Sequence, residues 1–246
     1  MAGAIDVYLI AGGGYHDIDF ARRELLALMG EHERMRVRVG ADYGDADAIA
    51  RAELLVTYTC NIVPGAAGLD ALRRFLARGK KWFALHGTNS RFEFAADNKV
   101  VCPPLDPEFL DMIGSQFMAH PPIGRYKVNC AAPAHPLVAG IGDFHVEDEH
   151  YLQDYRPGNE ALLTTRFGGA TGLFERADWP EREHLVMYLR RSCGGEVLYL
   201  TLGHARGRYD MRPIADFYPL VERGAWQLPV YYELLRRGLR WGIEGL

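Results

Sequence analysis

Cysteine is scarce, and no hydrophobic run is long. The four cysteines, Cys60, Cys102, Cys130 and Cys193, lie far apart with no C-x-x-C pair. That spacing argues against a zinc ribbon and against a disulfide framework, leaving free thiols. No apolar stretch approaches the ~20 residues of a membrane span. The opening MAGAIDVYLIAGGG has no basic segment before its apolar run. It reads as a first strand rather than a signal peptide, so a cytoplasmic location is expected. A net charge of -4 and the absence of any basic stripe exclude an electrostatic footprint for nucleic acid. An acidic membrane surface is an equally poor partner. There is no internal repeat, low-complexity tract or linker, and 246 residues fit one domain, 1–246.

Several chemical signatures are missing too. G-x-G-x-x-G and the P-loop pattern do not occur, so no nucleotide cofactor is expected. H-E-x-x-H is absent, and any metal site must be assembled from distant segments. The sharp turn that would carry a serine nucleophile reads Leu85-His86-Gly87 instead of G-x-S-x-G, which argues against acyl-enzyme chemistry.

What is present begins with alternation. Apolar runs at Ile5–Ala11, Met35–Val39, Leu54–Tyr58 and Trp82–Leu85 read as strands. Helical spacing occurs at Phe20–Met29, closed by Gly30, and at Leu69–Leu76, up to Gly79. This predicts an α/β fold with a mostly parallel central sheet and helices on both faces. Ligands of such sheets bind at the carboxyl ends of the strands. Here those ends are Gly12–Asp17, Cys60–Asn61 and His86–Ser90. Residues 91–124 hold five prolines and read as short helices. Further strands are expected at Arg125–Asn129, Ala161–Arg166, Leu185–Arg191 and Val197–Leu202, with a hairpin turn at Gly194-Gly195. Residues 205–228 read as a long loop, and Val230–Trp241 as a last helix.

Nine histidines are the main anomaly. His16, His86, His120, His135 and His204 all sit at turns or strand ends, where imidazole serves as acid, base or metal ligand. His86 and His204 follow their strands directly. If those strands share one parallel core, both rings project from the same edge. The run His145-Val146-Glu147-Asp148-Glu149-His150-Tyr151 reads either as a solvated turn or as a carboxylate that orients a histidine, binds metal or acts as base. Gly12-Gly13-Gly14-Tyr15-His16-Asp17 reads either as an anion site at a helix N-terminus or as a plain turn with Asp17 as N-cap. Trp226, Tyr231 and Tyr232 read either as core or as an apolar patch supporting a homo-oligomer.

LHGTNS (85–90), GSQFMAHPP (114–122), HPLVAGIGDFHVEDEHY (135–151), LTLGHARG (200–207) and LLRRGLRWG (234–242) together resemble the ThuA-like, or trehalose utilization, family. The resemblance runs in order over nearly the whole chain, and the glycine-then-HD opening fits it. It implies a flavodoxin-like fold related to class I glutamine amidotransferases, with His86 at the elbow where those enzymes keep a cysteine. Glutaminase activity is therefore not expected. The resemblance implies catalytic roles for His86, His204, Glu149 and Asp148. It implies substrate contacts at Gly14, His16, Asp17, Asn89, Tyr151, Arg206 and Arg208, with Tyr209 beside them. A divalent metal, zinc by ligand type, is expected at His86, His120, His204 and His16. Residues after His204 exceed the family pattern and are expected to form a lid. The implied function is a lyase, hydrolase or isomerase acting on a keto-glycoside or related carbonyl sugar. The alternatives are a non-catalytic sugar-binding or regulatory protein and a metal-dependent hydrolase of a non-sugar ester or amide.

Overall fold

The computed structural model describes residues 3–244. Its first part alternates strand and helix: β1 (Ile5–Gly13), α1 (Ile18–Met29), β2 (Met35–Gly40), α2 (Ala46–Arg51), β3 (Leu54–Cys60), α3 (Ala66–Ala77) and β4 (Lys81–Leu85). A middle stretch holds β5 (Glu93–Phe94), β6 (Val100–Val101), α4 (Pro107–Ile113) and β7 (Ser115–Ala119). Then come β8 (Gly124–Cys130), β9 (Phe144–Asp148), β10 (Leu152–Tyr155), β11 (Asn159–Ala170), β12 (Asp178–Ser192), β13 (Gly195–Leu200) and α5 (Pro229–Glu244).

Nine strands form one sheet in the order β2-β1-β3-β4-β13-β12-β11-β8-β9. The first five are mutually parallel. Counted in chain order they run 2-1-3-4-5, the flavodoxin-like doubly wound arrangement. The remaining four extend the sheet antiparallel. The expected parallel sheet is thus one half of a mixed one. β7 and β10 pair separately, as do β5 and β6.

Successive side chains point to opposite faces, and both faces of the parallel part are covered. Leu9, Val56 and Phe83 pack with α1 and α5 on one side. Ile10, Leu55 and Trp82 pack with α2, α3 and α4 on the other. This double burial is why β3, LLVTYTC, is apolar along most of its length and buried at every position. α1 buries Ala21, Leu25, Leu28 and Met29, one helical stripe, and starts where the Asp17 carboxylate accepts the Phe20 N–H.

The structure moves some expected boundaries. The last hairpin turns at Cys193-Gly194, with φ of 51° and 93°, because Gly195 already pairs with Ser192. Within residues 91–124 only α4 is α-helical, and three short strands accompany it. Trp226 and Tyr231 are buried in the first core and Tyr232 packs against it, so these aromatics supply no exposed patch for self-association. Among the described residues, no helix is long and apolar enough to cross a membrane.

Candidate active site

The carboxyl ends of the parallel strands meet at one edge, and the backbone there is strained. Tyr15 after β1, Asn61 after β3 and His86 after β4 all have positive φ, at 66°, 57° and 44°. Non-glycine residues rarely occupy that region, and such outliers cluster at functional sites. Leu85 is extended and His86 left-handed, so the chain turns sharply and throws the imidazole inward. After β13, Gly203 has φ +125°, and a Cβ there would collide with the Tyr231 hydroxyl. Only glycine makes this turn, and it delivers His204 beside His86.

β4 and β13 are adjacent and parallel, with Leu85 level with Leu200, so both imidazoles project from the same edge. His16, from the turn after β1, joins them. The carboxylate arrives from the antiparallel half: Glu149 directly follows β9. One ligand atom from each of His16, His86, Glu149 and His204 lies within 4.8 Å of every other, and all four residues are buried. His16 Nε2 stands 2.8 Å from His86 Nε2. Glu149 Oε2 is 3.6 Å and 3.5 Å from those two nitrogens, and Oε1 is 3.0 Å from His204 Nδ1.

Hydrogen bonds set the tautomers. A carbonyl only accepts, so His86 Nδ1–H donates to the Thr201 carbonyl at 2.7 Å and leaves Nε2 bare toward the centre. His16 Nδ1 lies 3.4 Å from the Gly14 carbonyl, and at 2.8 Å its Nε2–H donates to the bare His86 Nε2 when the ring carries its proton there. His204 Nε2–H donates to Glu222 Oε2 at 2.9 Å, and Nδ1 faces Glu149. Glu222 also accepts from Arg206 Nη1 at 2.9 Å and from the Tyr218 hydroxyl at 3.0 Å.

Burial and charge then separate the histidines. Burial holds His16 down to about 3, aided by the neighbouring His86 and His204 rings and only partly offset by Glu149. Burial also opposes charge on His204, but Glu149 and Glu222 outweigh it and lift it to about 9. Burial would raise Glu149; the surrounding histidines, His204 and His120 foremost, hold it well below the carboxylate range. Tyr151 is pushed well up, by burial first and by Glu149 next, and stays a hydroxyl donor. That hydroxyl lies 3.4 Å from His86 Nε2.

Not every expected residue enters. His120 stands at the cavity side, its Nε2 3.7 Å from Glu149 Oε1, outside the four-residue cluster. Arg206 lines the cavity, with Nη2 3.2 Å from Glu149 Oε1. Asp148 is fully buried and turned to the backbone: its oxygens accept the N–H groups of Glu149, Gly203, His204 and Ala225 at 2.7, 3.1, 3.1 and 2.8 Å. Asn89 is fully buried behind the site, bonded to Ser115, Gln153 and Tyr199, so it has no reach to a ligand. Asp17 caps α1 and pairs with Arg223 at 2.9 Å, which puts a carboxylate where the anion site was expected. Gly14 serves through its carbonyl on His16. Arg208 and Tyr209 are exposed, turned toward Phe217. His135 caps a local turn through the Leu137 N–H.

Glu222 was not foreseen, since only the folding back of residues 205–228 pairs it with Arg206. Nor were the aromatic cavity walls, although the alternation Phe92-Glu93-Phe94 is a strand-face signal. The cavity over the cluster measures about 670 Å³ and includes His16, His120, Glu149, Tyr151 and Arg206 in its lining.

Fold and site together define a doubly wound α/β protein with a buried three-histidine, one-glutamate cluster at the carboxyl edge of its parallel strands. The chain belongs to the ThuA family, described as trehalose utilisation, whose model matches residues 7–227. A ThuA-like protein of Bacteroides uniformis superposes with a TM-score of 0.67 at 14% identity, covering 99% of this chain and 94% of that one. Another, from Parabacteroides merdae, gives 0.62 at 16% identity over 98% and 91%. A β-galactosidase of Bacillus circulans gives 0.52 at 11% identity over 80% of this chain and 28% of that one. At these identities the likeness shows the fold alone. No curated protein matches the chain.

Proposed function

We propose that this protein is an enzyme that cleaves a keto-glycoside or related carbonyl sugar by removing the proton next to the carbonyl. The observation that carries the reading is the convergence of three imidazole nitrogens and a carboxylate, all buried, beside a ligand-sized cavity that His16 and Glu149 of the cluster line. The family's description as trehalose utilisation supports a sugar-like substrate.

The four donors fit a divalent cation, zinc by their nitrogen and oxygen chemistry. Two further observations favour the fit. His16 Nε2 and His86 Nε2 stand 2.8 Å apart, and with His86 Nδ1–H on the Thr201 carbonyl the His86 lone pair points into the cluster. His204 Nδ1 is buried with no hydrogen-bond partner, although Glu149 is close by. When bound, such an ion polarises the carbonyl and stabilises the enolate.

The protein's own groups do the rest. His120 Nδ1–H donates to the Pro121 carbonyl at 2.7 Å, leaving Nε2 to take the C–H proton. The electron pair of that bond passes into the carbonyl as an enolate. When the carbonyl reforms, the glycosidic C–O bond breaks, and the proton held by His120 passes to the departing oxygen. Tyr151 keeps its proton and hydrogen-bonds the developing oxyanion. Arg206, fixed by Glu149 and Glu222, holds the sugar's oxygens.

Metal analysis of the purified protein, paired with turnover of keto-glycosides, tests this. One equivalent of zinc or another divalent ion, lost in His86→Ala together with turnover, is expected. A metal-free protein that binds the sugars without turnover would overturn the reading in favour of a binding protein.

A further inference from the structure

The cavity has two unlike parts. Its floor carries His16, His120, Glu149 and Arg206. Its solvent side is built from Phe92, Phe94, Val100, Leu173 and Ile214. Phe94, Leu173 and Ile214 are 42%, 70% and 48% exposed, unusual for large apolar side chains grouped at one mouth.

This wall is a built structure. β5 pairs with β6 so that Phe94 lies opposite Val100. Val100 in turn bridges Phe174, and its N–H donates to the Leu173 carbonyl at 2.8 Å. Tyr15 backs the wall, its ring 5.0 Å from Phe92 and 6.0 Å from Phe94. The backbone hydrogen bonds fix the apolar groups where water would otherwise cover them.

A second sugar ring would not suit this surface. Its hydroxyls each need a partner, and unpaired polar groups are costly once desolvated. Among the described residues of the wall, the polar side-chain groups are few, the Asn98 amide and the Tyr15 hydroxyl. A flat apolar group loses nothing there and removes the exposed aromatics from water. We propose that the wall is a subsite for an apolar or aromatic aglycone, so that the substrate is an aryl-type keto-glycoside and not a keto-disaccharide. This deepens, and rests on, the keto-glycoside reading above.

The test compares a phenyl keto-glucoside, its methyl counterpart and a keto-disaccharide on the wild type and on a Phe94→Ala, Leu173→Ala variant. Both substituted residues are exposed, so the core is untouched. kcat/KM for the phenyl compound should exceed that for the methyl compound by about tenfold or more, because apolar contact in such a pocket is worth that much. The double substitution should lower the phenyl-to-methyl ratio of kcat/KM by about tenfold, the part due to phenol's better leaving ability being common to both proteins. A preference for the disaccharide, or a phenyl-to-methyl ratio that the substitutions leave unchanged, overturns the subsite. Plain phenyl and methyl glucosides, without the ketone, are titrated in parallel by ligand-observed NMR. Tighter binding of the phenyl glucoside that depends on Phe94 and Leu173 supports the subsite even if no keto-compound turns over, in which case only the catalytic reading falls. Equal binding of the phenyl and methyl glucosides overturns the subsite whatever the turnover result.

Discussion

The parallel and antiparallel halves of the sheet contribute different things to one site. The parallel half supplies His16, His86 and His204 from turns at the ends of strands buried on both faces. The antiparallel side supplies Glu149 after β9 and Tyr151 before β10, while β7 leads into His120. Strands there are half-exposed, as the alternating burial of β8 and β9 shows. The cluster's imidazoles thus come from the doubly covered part of the fold, and its carboxylate from the half-exposed part. A doubly wound scaffold can keep its strand-end ligands while its antiparallel extension reshapes the cavity.

The comparison can be broken from either side. Removing the parallel half's anchor should do most: His86→Ala is expected to lower kcat/KM by about 10³-fold, read in steady-state kinetics beside metal content. Glu222→Gln sharpens the contrast, because Glu222 acts only by orienting His204 and Arg206. It should cost about 10–100-fold in metal affinity or activity. A metal titration that leaves the affinity unchanged would refute that positioning role. Asp148→Asn should act on stability: it weakens acceptance of three backbone N–H groups that tie β9 to the His204 turn. A loss of about 2 kcal/mol is expected in urea unfolding.

The smallest effect concerns pH and lies wholly in the antiparallel half. Burial, with Arg182 and Arg176 nearby, lowers His184 to about 4. Unfolded, it titrates near its ordinary value of about 6.5. Between these values the unfolded chain binds the extra proton. Stability from this group is therefore complete above about pH 6.5 and is lost as pH falls toward about 4. His184→Asn should flatten the acid limb of a stability-versus-pH curve, and an unchanged limb would remove His184 as its cause.

The parallel half was readable in the sequence because strands buried on both faces are written as continuous apolar runs. Histidines directly after WFAL and VLYLTLG could then be placed at one edge. The antiparallel side was less legible. β7, β9 and β10 are short and half-polar, without a decisive period, as is α2 in the parallel half. Asp148 and Glu149 are adjacent carboxylates of like chemistry. Only the strand end shows that one faces the backbone of Gly203 and His204 while the other faces the cavity. Asn89 reads as a strand-end polar group, yet it sits one turn beyond His86 inside a closed network with Ser115 and Gln153.

The pairing of Glu222 with Arg206 has a consequence for the cluster. Each residue's backbone N–H donates to the other's carbonyl at 2.9 Å, and the Glu222 carboxylate reaches both His204 and Arg206. Between these two positions lie Met211, Pro213, Ile214 and Tyr218, which close over the cavity. Glu222 thus holds Nε2 of His204 from this segment, while Glu149 faces Nδ1 from the sheet. The segment that lines the cavity's outer side therefore also carries one of the hydrogen-bond partners that orient a cluster histidine.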